Sequence, residues 1–412
     1  MLLEAADTGT TRAPGTPRMR ALLLYLGLAL IVIGSVVLDL HSGDALPYLD
    51  ENDYEQVARS ILHRHEFADG QGRLTLGRPP GYPAVIALAY SIVERPLAAR
   101  FENAIFFVLA VLSLAALARR ITPGAGMLVP FLVLFYPLLI YAASLLYPQT
   151  FGCLLLSLIV MLTAAEPFTP KRAVLTGILY GILILAIPAF LLLLPLFALF
   201  VIVAYRGPRL RAVLPAGVLF AVACLVVAPW TVRNYQQFHV LVPVSANGGT
   251  NLFLGNSPAT TANSGVNGNV WSLCPLHPNM TEHELDAAMQ ACAIEWIKGH
   301  PGAAARLYVA KVFNYFNFRN ELATAGEHAH WRDWLIFATY YPLLLIALWR
   351  AALYRRLPFT RIEALIYLVY FLNAFVSAIF FTRLRFRIPF DFLLIGVDAA
   401  FLVHWWTARA ER

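Results

Sequence analysis

Runs of apolar residues, each about the 20 residues that a helix needs to cross hydrocarbon, recur along the whole chain and are separated by short polar stretches. They predict helices at 21–39, 101–118, 126–146, 148–165, 171–187, 189–205, 212–230, 335–353, 362–381 and 388–406. The stretch 171–205 is too long for one span and is interrupted by Pro188 and Pro195, so it is read as two short helices. With that division Arg119-Arg120, Lys171-Arg172, Arg206/Arg209/Arg211, Arg350/Arg355/Arg356 and Arg409/Arg412 all fall on one side of the membrane. An excess of Arg and Lys marks the cytoplasmic side, so the pattern predicts ten spans with both chain ends inside.

Two polar intervals are long, and both fall on the opposite, outer side. In the first, 41–100, Asp53–His63 has helical periodicity, with Tyr54, Val57, Ala58, Ile61 and Leu62 on one face. Tyr82–Val93 is apolar but too short to span, which suits an interfacial helix. In the second, 231–334, Thr281-x-x-Glu284 is a capping box for a helix to about Lys298. Gly299-His300-Pro301 ends it, and Ala303–Phe318 starts another. The expected fold is an α-helical polytopic membrane protein of about ten transmembrane helices. It has a large first outer loop of amphipathic helices and a mostly helical outer segment between spans 7 and 8. The divisions are a disordered tail (1–20), spans 1–7 with the outer loop 41–100 (21–230), the outer segment (231–334) and spans 8–10 (335–412).

Composition agrees with the pattern. Of 412 residues 59% are hydrophobic and 13% charged, against roughly 25% charged in soluble domains. The net charge of +7 lies in loop arginines, so it does not point to nucleic acid. No small-residue cleavage site follows Ala21–Leu38, so this run reads as a first span and not a cleaved leader. Cys153 and Cys224 lie in spans as packing residues, while Cys274 and Cys292 share the outer segment and are open to pairing there. His63-Arg64-His65 is a poor metal pattern, because i and i+2 diverge on a helix. Metalloprotease, phosphate-loop, thiol-redox and serine-elbow motifs are absent.

The candidate chemistry sits just outside the spans. Asp50-Glu51-Asn52-Asp53-Tyr54 gathers three carboxylates after the first span. A carboxylate there can act as general base; Asp50 and Asp53 equally suit helix caps. Arg78 precedes Pro79-Pro80-Gly81-Tyr82-Pro83, and its guanidinium suits a phosphate or a lipid headgroup. Pro229-Trp230-Thr231-Val232-Arg233-Asn234-Tyr235 closes the seventh span, followed by the Gly/Asn-rich string around Asn247, Asn251 and Asn256. Arg383, Arg385 and Arg387 precede the last span on the side where positive charge is disfavoured; they either balance the acids, hold an anion, or snorkel. Asp398 and Asn373, inside spans, read as buried groups bonded to neighbouring helices.

In order and placement these motifs resemble the bacterial branch of the GT-C superfamily of polytopic glycosyltransferases, near the protein O-mannosyltransferases and the aminoarabinose transferase of lipid A. The resemblance rests on Asp50-Glu51-x-x-Tyr54, Arg78-Pro79-Pro80-Gly81-Tyr82-Pro83, the Pro229–Tyr235 string, Asn247-Gly248-Gly249-x-Asn251-Leu252 with Gly255-Asn256, and Arg385-Phe386-Arg387-Ile388-Pro389. It implies a multi-pass protein of the bacterial cytoplasmic membrane, with its active site on the extracytoplasmic side. The implied reaction moves a sugar from a polyprenyl-phosphate donor to a glycan, lipid or protein acceptor. The catalytic carboxylate maps to Asp50, with Glu51 and Asp53 beside it. The donor phosphate maps to Arg78 and Arg387, with Arg385 as neighbour and Arg233 as a weaker candidate. Tyr54, Tyr82, Asn247, Asn251 and Asn256 are the implied substrate-loop residues.

The chain departs from that pattern twice. Gln149 in Tyr147-Pro148-Gln149 stands where relatives often have Glu, and Ile187-Pro188 stands where they often have Arg-Pro. Some members of the superfamily use a divalent ion, but this sequence offers no clear ligand set and no certain cofactor. The competing classes are a transporter or flippase and a non-catalytic scaffold. Transporters place polar groups at mid-membrane in repeated halves, whereas here the polar residues gather in outer loops.

Overall fold

A computed structural model describes residues 15–205, 207–263, 265–266, 270–319 and 330–410. Most of the expected basic tail, with Arg12, and also Arg206, Arg412 and part of the 231–334 segment lie outside the described residues. The fold is mostly α-helical. Among the described residues five helices are long and apolar enough to cross a membrane: α1 (Pro17–Ser42), α4 (Pro96–Ile121), α10 (Leu210–Phe238), α14 (His330–Ala352) and α15 (Arg361–Ile379). Proline in the first turn opens α1 and α4, where its missing N–H costs nothing. Thr16 and Thr360 cap α1 and α15, the latter in a capping box with Glu363.

Other apolar runs fold into shorter pieces. The single helix expected over 126–146 is divided into α5 (Val129–Phe135) and α6 (Leu138–Ala143). Pro137 lies at the break; it lacks an N–H and drives Tyr136 out of helical geometry. α7 (Gln149–Thr163) starts after Pro148. The division of 171–205 is borne out: α8 (Pro170–Ala186) ends before Pro188, and α9 (Leu194–Val203) follows a 3₁₀ stretch. The last helix, α16 (Leu384–Ala410), starts four residues before the expected span at 388. Every residue from Arg387 to Phe401 is buried, and α16 packs against α4, α5, α7, α14 and α15. A helix buried on all sides in this way forms the centre of the bundle, with Arg387, Asp391 and Asp398 inside it. On the flank, α8 lies against α7 and α10.

One end of the bundle is capped. α2 (Leu49–Arg64) packs on α3 (Gly81–Tyr90), and α3 packs on α4 and α8. Gly81 permits that approach, because a Cβ there would lie 2.7 Å from the Ala186 backbone N. Tyr54, Ala58, Tyr82, Ile86 and Tyr90 form the core between these helices. The second long segment adds α11 (Gly248–Gly255), a short hairpin of β1 (Thr260–Thr261) and β2 (Gly265–Val266), α12 (Glu282–Gly299) and α13 (Pro301–Asn314). The Thr281–Glu284 capping box is present at α12. Cys274 and Cys292 are joined in a disulfide, and Met289 and Ala293 pack beneath it with Phe253. Cys153 is buried as expected, whereas Cys224 is exposed on the bundle surface.

Candidate functional site

Three elements distant in sequence bring charge together at the capped end. Asp50 lies in the first turn of α2, Arg78 lies just before α3, and Arg385 lies in the first turn of α16. One Asp50 oxygen accepts from Arg78 Nη2 at 2.7 Å and the other from Arg385 Nη1 at 2.5 Å. Arg78 also donates to Asp53 through Nε (3.2 Å) and Nη2. The Asp50 side chain keeps 23% of its surface and Arg78 keeps 24%, so the pair is sheltered and still reachable. Burial pushes the Asp50 carboxyl up, and the Arg385 and Arg78 guanidiniums outweigh it, bringing it down to about 2. Burial works against the charge on Arg78 too, but Asp50 and Tyr54 hold it above its ordinary value. Aromatic faces line the site: Arg78 stands 5.4 Å from the Tyr54 ring and Arg385 stands 5.1 Å from the Tyr147 ring.

Several expected residues have other roles. Glu51 is wholly buried; its carboxylate accepts from the backbone N–H of Leu146 (2.9 Å) and of Tyr48 (3.2 Å). It is therefore Glu51, not Asp50 or Asp53, that caps the start of α2, and it does not face the arginine pair. Tyr82 is fully buried, and its hydroxyl accepts from Asn103 Nδ2 at 2.8 Å, so it belongs to the packing core. Arg387 points away from Asp50: its Nε donates to Asp391 at 2.9 Å, and its Nη1 donates to the backbone carbonyls of Tyr315 and Asn317. Successive alternate residues on a helix lie about 200° apart, so only one of Arg385 and Arg387 can reach the site. Arg233 donates to the carbonyls of Thr75 (3.3 Å) and Phe67 (3.2 Å) and stacks on Trp230 at 4.8 Å.

Among the Asn residues, Asn247 donates to the Gly77 carbonyl at 3.4 Å, next to Arg78. Asn251 continues α11, its N–H bonded to the Asn247 carbonyl. Asn256 is buried, bonded to the carbonyls of Leu252 and Ile379 and to Lys311 Nζ. Asn373 donates at 3.2 Å to the hydroxyl of Tyr315, the residue that closes α13, where a bond to a neighbouring helix was expected. Asp398 differs from expectation: buried in α16, it has no hydrogen-bond partner among the described residues. No role at the site was legible for Tyr147 in the sequence; its place before Pro148, between two expected spans, was its only signal.

Two residues along the chain from Arg78, the start of α3, the end of α8 and the later part of α10 form an open apolar groove lined by Pro80, Gly81, Ala84, Leu185, Val226 and Trp230. Arg78 of the charged cluster is thus joined through Pro79 to the first lining residue of this apolar groove, Pro80. Among the described residues no three His, Cys, Asp or Glu side chains form a metal-ligand set. Asp50 and Asp53 both face guanidiniums, so the donor set does not fit a divalent ion.

No protein-family model and no curated protein matches the sequence. Solved structures do match. The oligosaccharyltransferase AglB from Archaeoglobus fulgidus, in complex with an inhibitory peptide and a dolichol-phosphate, aligns with a TM-score of 0.56 at 14% identity, over 95% of this chain and 52% of that one. The same organism's oligosaccharyltransferase tethered to an acceptor peptide with an NVT sequon aligns at 0.55 and 14%, over 94% and 49%. ArnT from Cupriavidus metallidurans bound to undecaprenyl phosphate aligns at 0.45 and 13%, over 93% and 78%, too loosely to support an argument. The chain spans about half the length of the oligosaccharyltransferases it matches. The likeness shows the fold alone, and it agrees there with the resemblance read from the sequence: this chain has a helical fold like that of the Archaeoglobus fulgidus oligosaccharyltransferase.

Proposed function

We propose that the chain transfers a sugar from a polyprenyl-phosphate donor to an acceptor hydroxyl or amine at the capped end. The observation that carries this reading is the Asp50 carboxylate held between Arg78 and Arg385, with an open apolar groove starting two residues after Arg78. A lipid-phosphate sugar needs those three things together: a slot for the first isoprene units, cations for the phosphate and a base for the acceptor. Five helices suited to crossing a membrane support a multi-pass setting. We place the capped end on the extracytoplasmic side of a bacterial cytoplasmic membrane, following the arginine bias. One structure of the same fold is a complex with a dolichol-phosphate, in keeping with a lipid-phosphate donor here.

The proposed step is a direct displacement. The acceptor atom bonds to the anomeric carbon, the bond to the phosphate oxygen breaks, and the configuration inverts. The leaving polyprenyl phosphate gains negative charge, which Arg78 and Arg385 stabilise. The acceptor's proton passes to Asp50. A carboxylate near 2 is a weak base while both guanidiniums bind it. When the donor phosphate draws those guanidiniums to itself, Asp50 regains basicity at the moment it is needed. Donor binding and base activation become one event.

The test is Asp50→Asn, with products defined beforehand by mass analysis of envelope glycans and lipids from a deletion strain. Transfer should fall by roughly 10²–10⁴. The variant should bind a short polyprenyl phosphate at least as tightly as the wild type, because its arginines no longer face a carboxylate. Undiminished transfer by Asp50→Asn would sink the proposal, and a product of retained configuration would sink the displacement step.

A further inference from the structure

The tripeptide before Arg78 is held unusually fully. The Thr75 N–H donates to the Phe67 carbonyl, and the Thr75 carbonyl accepts from Arg233. The Leu76 N–H donates to Glu282 Oε2, and the Leu76 carbonyl accepts from the Ala246 N–H at 2.9 Å. The Gly77 N–H donates to Thr75 Oγ at 3.0 Å, and the Gly77 carbonyl accepts from Asn247. Every backbone polar group of Thr75-Leu76-Gly77 is therefore bonded, and Arg78 follows directly. A loop bonded in this way has one arrangement instead of many.

Glu282 is the one carboxylate among these partners. It sits in the first turn of α12, more than 200 residues along the chain. Its two oxygens take the Thr75 hydroxyl, at 2.6 Å, and the Leu76 N–H. Gly77 allows the approach, since a Cβ there would lie 3.2 Å from Glu282 Oε1. α12 is itself a firm base: Asp286 accepts from the N–H groups of Gly249 (3.0 Å) and Thr250 (2.7 Å) in α11, and the Cys274–Cys292 disulfide ties α12 to the loop before it. A side chain on a rigid element holds a loop more sharply than one on another loop.

We propose that Glu282 is a positioning residue, which through Thr75 and Leu76 sets where Arg78 presents its guanidinium to an isoprenyl phosphate. The proposal rests on the donor reading above and adds a residue of the second long segment to the donor site. Misplacing a binding group by about 1 Å costs up to roughly 10²-fold in rate, so the loop's anchor matters although it touches no substrate.

The experiment measures binding of farnesyl phosphate to the purified full-length protein in detergent, with melting temperature recorded alongside. Glu282→Ala should weaken binding about tenfold or more with an unchanged melting temperature. Glu282→Gln should restore it, because the amide oxygen still accepts from the Leu76 N–H and the amide N–H can donate to Thr75 Oγ. Thr75→Val removes the bond from the loop side and should weaken binding less than Glu282→Ala; it also serves as the test should Glu282→Ala fail to fold. Wild-type affinity in both Glu282→Ala and Thr75→Val overturns the role of Glu282, as does a Glu282→Gln protein no better than Glu282→Ala. If the wild type itself binds no farnesyl phosphate, the donor reading fails and takes this inference with it. If Arg78→Ala abolishes binding while Glu282→Ala preserves it, only the inference about Glu282 falls.

Discussion

Arg385 and Arg387 stand two residues apart on α16, each paired with an aspartate and each set over a tyrosine ring, yet the two pairs belong to different worlds. Arg385 reaches out of the bundle to Asp50 on α2, over Tyr147, and its side chain keeps 28% of its surface. Arg387 turns inward to Asp391, one turn along the same helix, 3.7 Å from the Tyr340 ring, with 1% of its surface left. Asp391 also accepts from the hydroxyls of Tyr136 (3.1 Å) and Tyr370 (3.3 Å). The inner pair is closed by tyrosines from α14, from α15 and from the break between α5 and α6, whereas the outer pair remains partly exposed, as the proposed exchange of a partner for an incoming anion requires. An ion pair becomes a functional site when one of its partners can be replaced, and remains structural when none can.

The largest expected effect tests the closed pair. Removing one member of a buried pair leaves an uncompensated charge and costs about 3–5 kcal/mol. Arg387→Met should therefore lower the melting temperature sharply, while Arg385→Met, whose partner can turn to water and to Arg78, should cost far less. Equal losses of melting temperature in the two variants would remove the distinction between the pairs.

Next comes the open pair. A hydrogen bond to a charged group contributes about 1.5–3 kcal/mol, so Arg385→Met should weaken farnesyl phosphate binding by roughly 10- to 100-fold in a folded protein. Arg385→Lys should recover part of that, since a point charge holds phosphate without the planar fork. Farnesyl phosphate bound as tightly by Arg385→Met as by the wild type would place the donor phosphate elsewhere.

How far the sequence foretold this contrast depends on the residue. Apolar runs named the helical stretches well, because about 20 residues of hydrocarbon leave little choice; where prolines cut a run, as at Pro137, the helix expected over 126–146 became two. Asp50 and Arg78 were legible from charge beside apolar sequence. Arg385 against Arg387 was not. The spacing of two implies opposite faces once α16 is known to begin at Leu384, but which face meets α2 depends on how α16 is rotated in the bundle. Glu51 was misread for a related reason: three acids in one turn look alike until packing buries one of them. Glu282 gave no signal, because its partner loop lies more than 200 residues away.

A smaller effect concerns pH. The folded Asp50 lies at about 2 against an ordinary value of 3.8, so the folded state favours its charged form. Its contribution, about 2 kcal/mol at most, is complete above roughly pH 4 and is lost as pH falls through about 2. Asp50→Asn lacks that contribution at every pH. The melting temperatures of wild type and Asp50→Asn should differ at pH 6 and converge between pH 4 and pH 2; a gap that stays constant over that range would mean the arginine pair does not set the Asp50 charge.

The finest test concerns the two tyrosine rings. A cation over an exposed or partly exposed aromatic face gains about 0.5–1 kcal/mol, so Tyr147→Leu should weaken farnesyl phosphate binding only a few-fold, by loosening Arg385. Tyr147→Phe should change nothing, because the ring face and not the hydroxyl meets the guanidinium. Tyr340→Leu makes the same change under Arg387, where the ring also shares a hydroxyl contact with Tyr370 at 3.0 Å. There the loss should appear as melting temperature, with donor binding intact in whatever protein remains folded. If Tyr340→Leu instead weakened donor binding as Tyr147→Leu does, the inner pair would be coupled to the phosphate site through α16, and the separation of the two pairs would be one of position only.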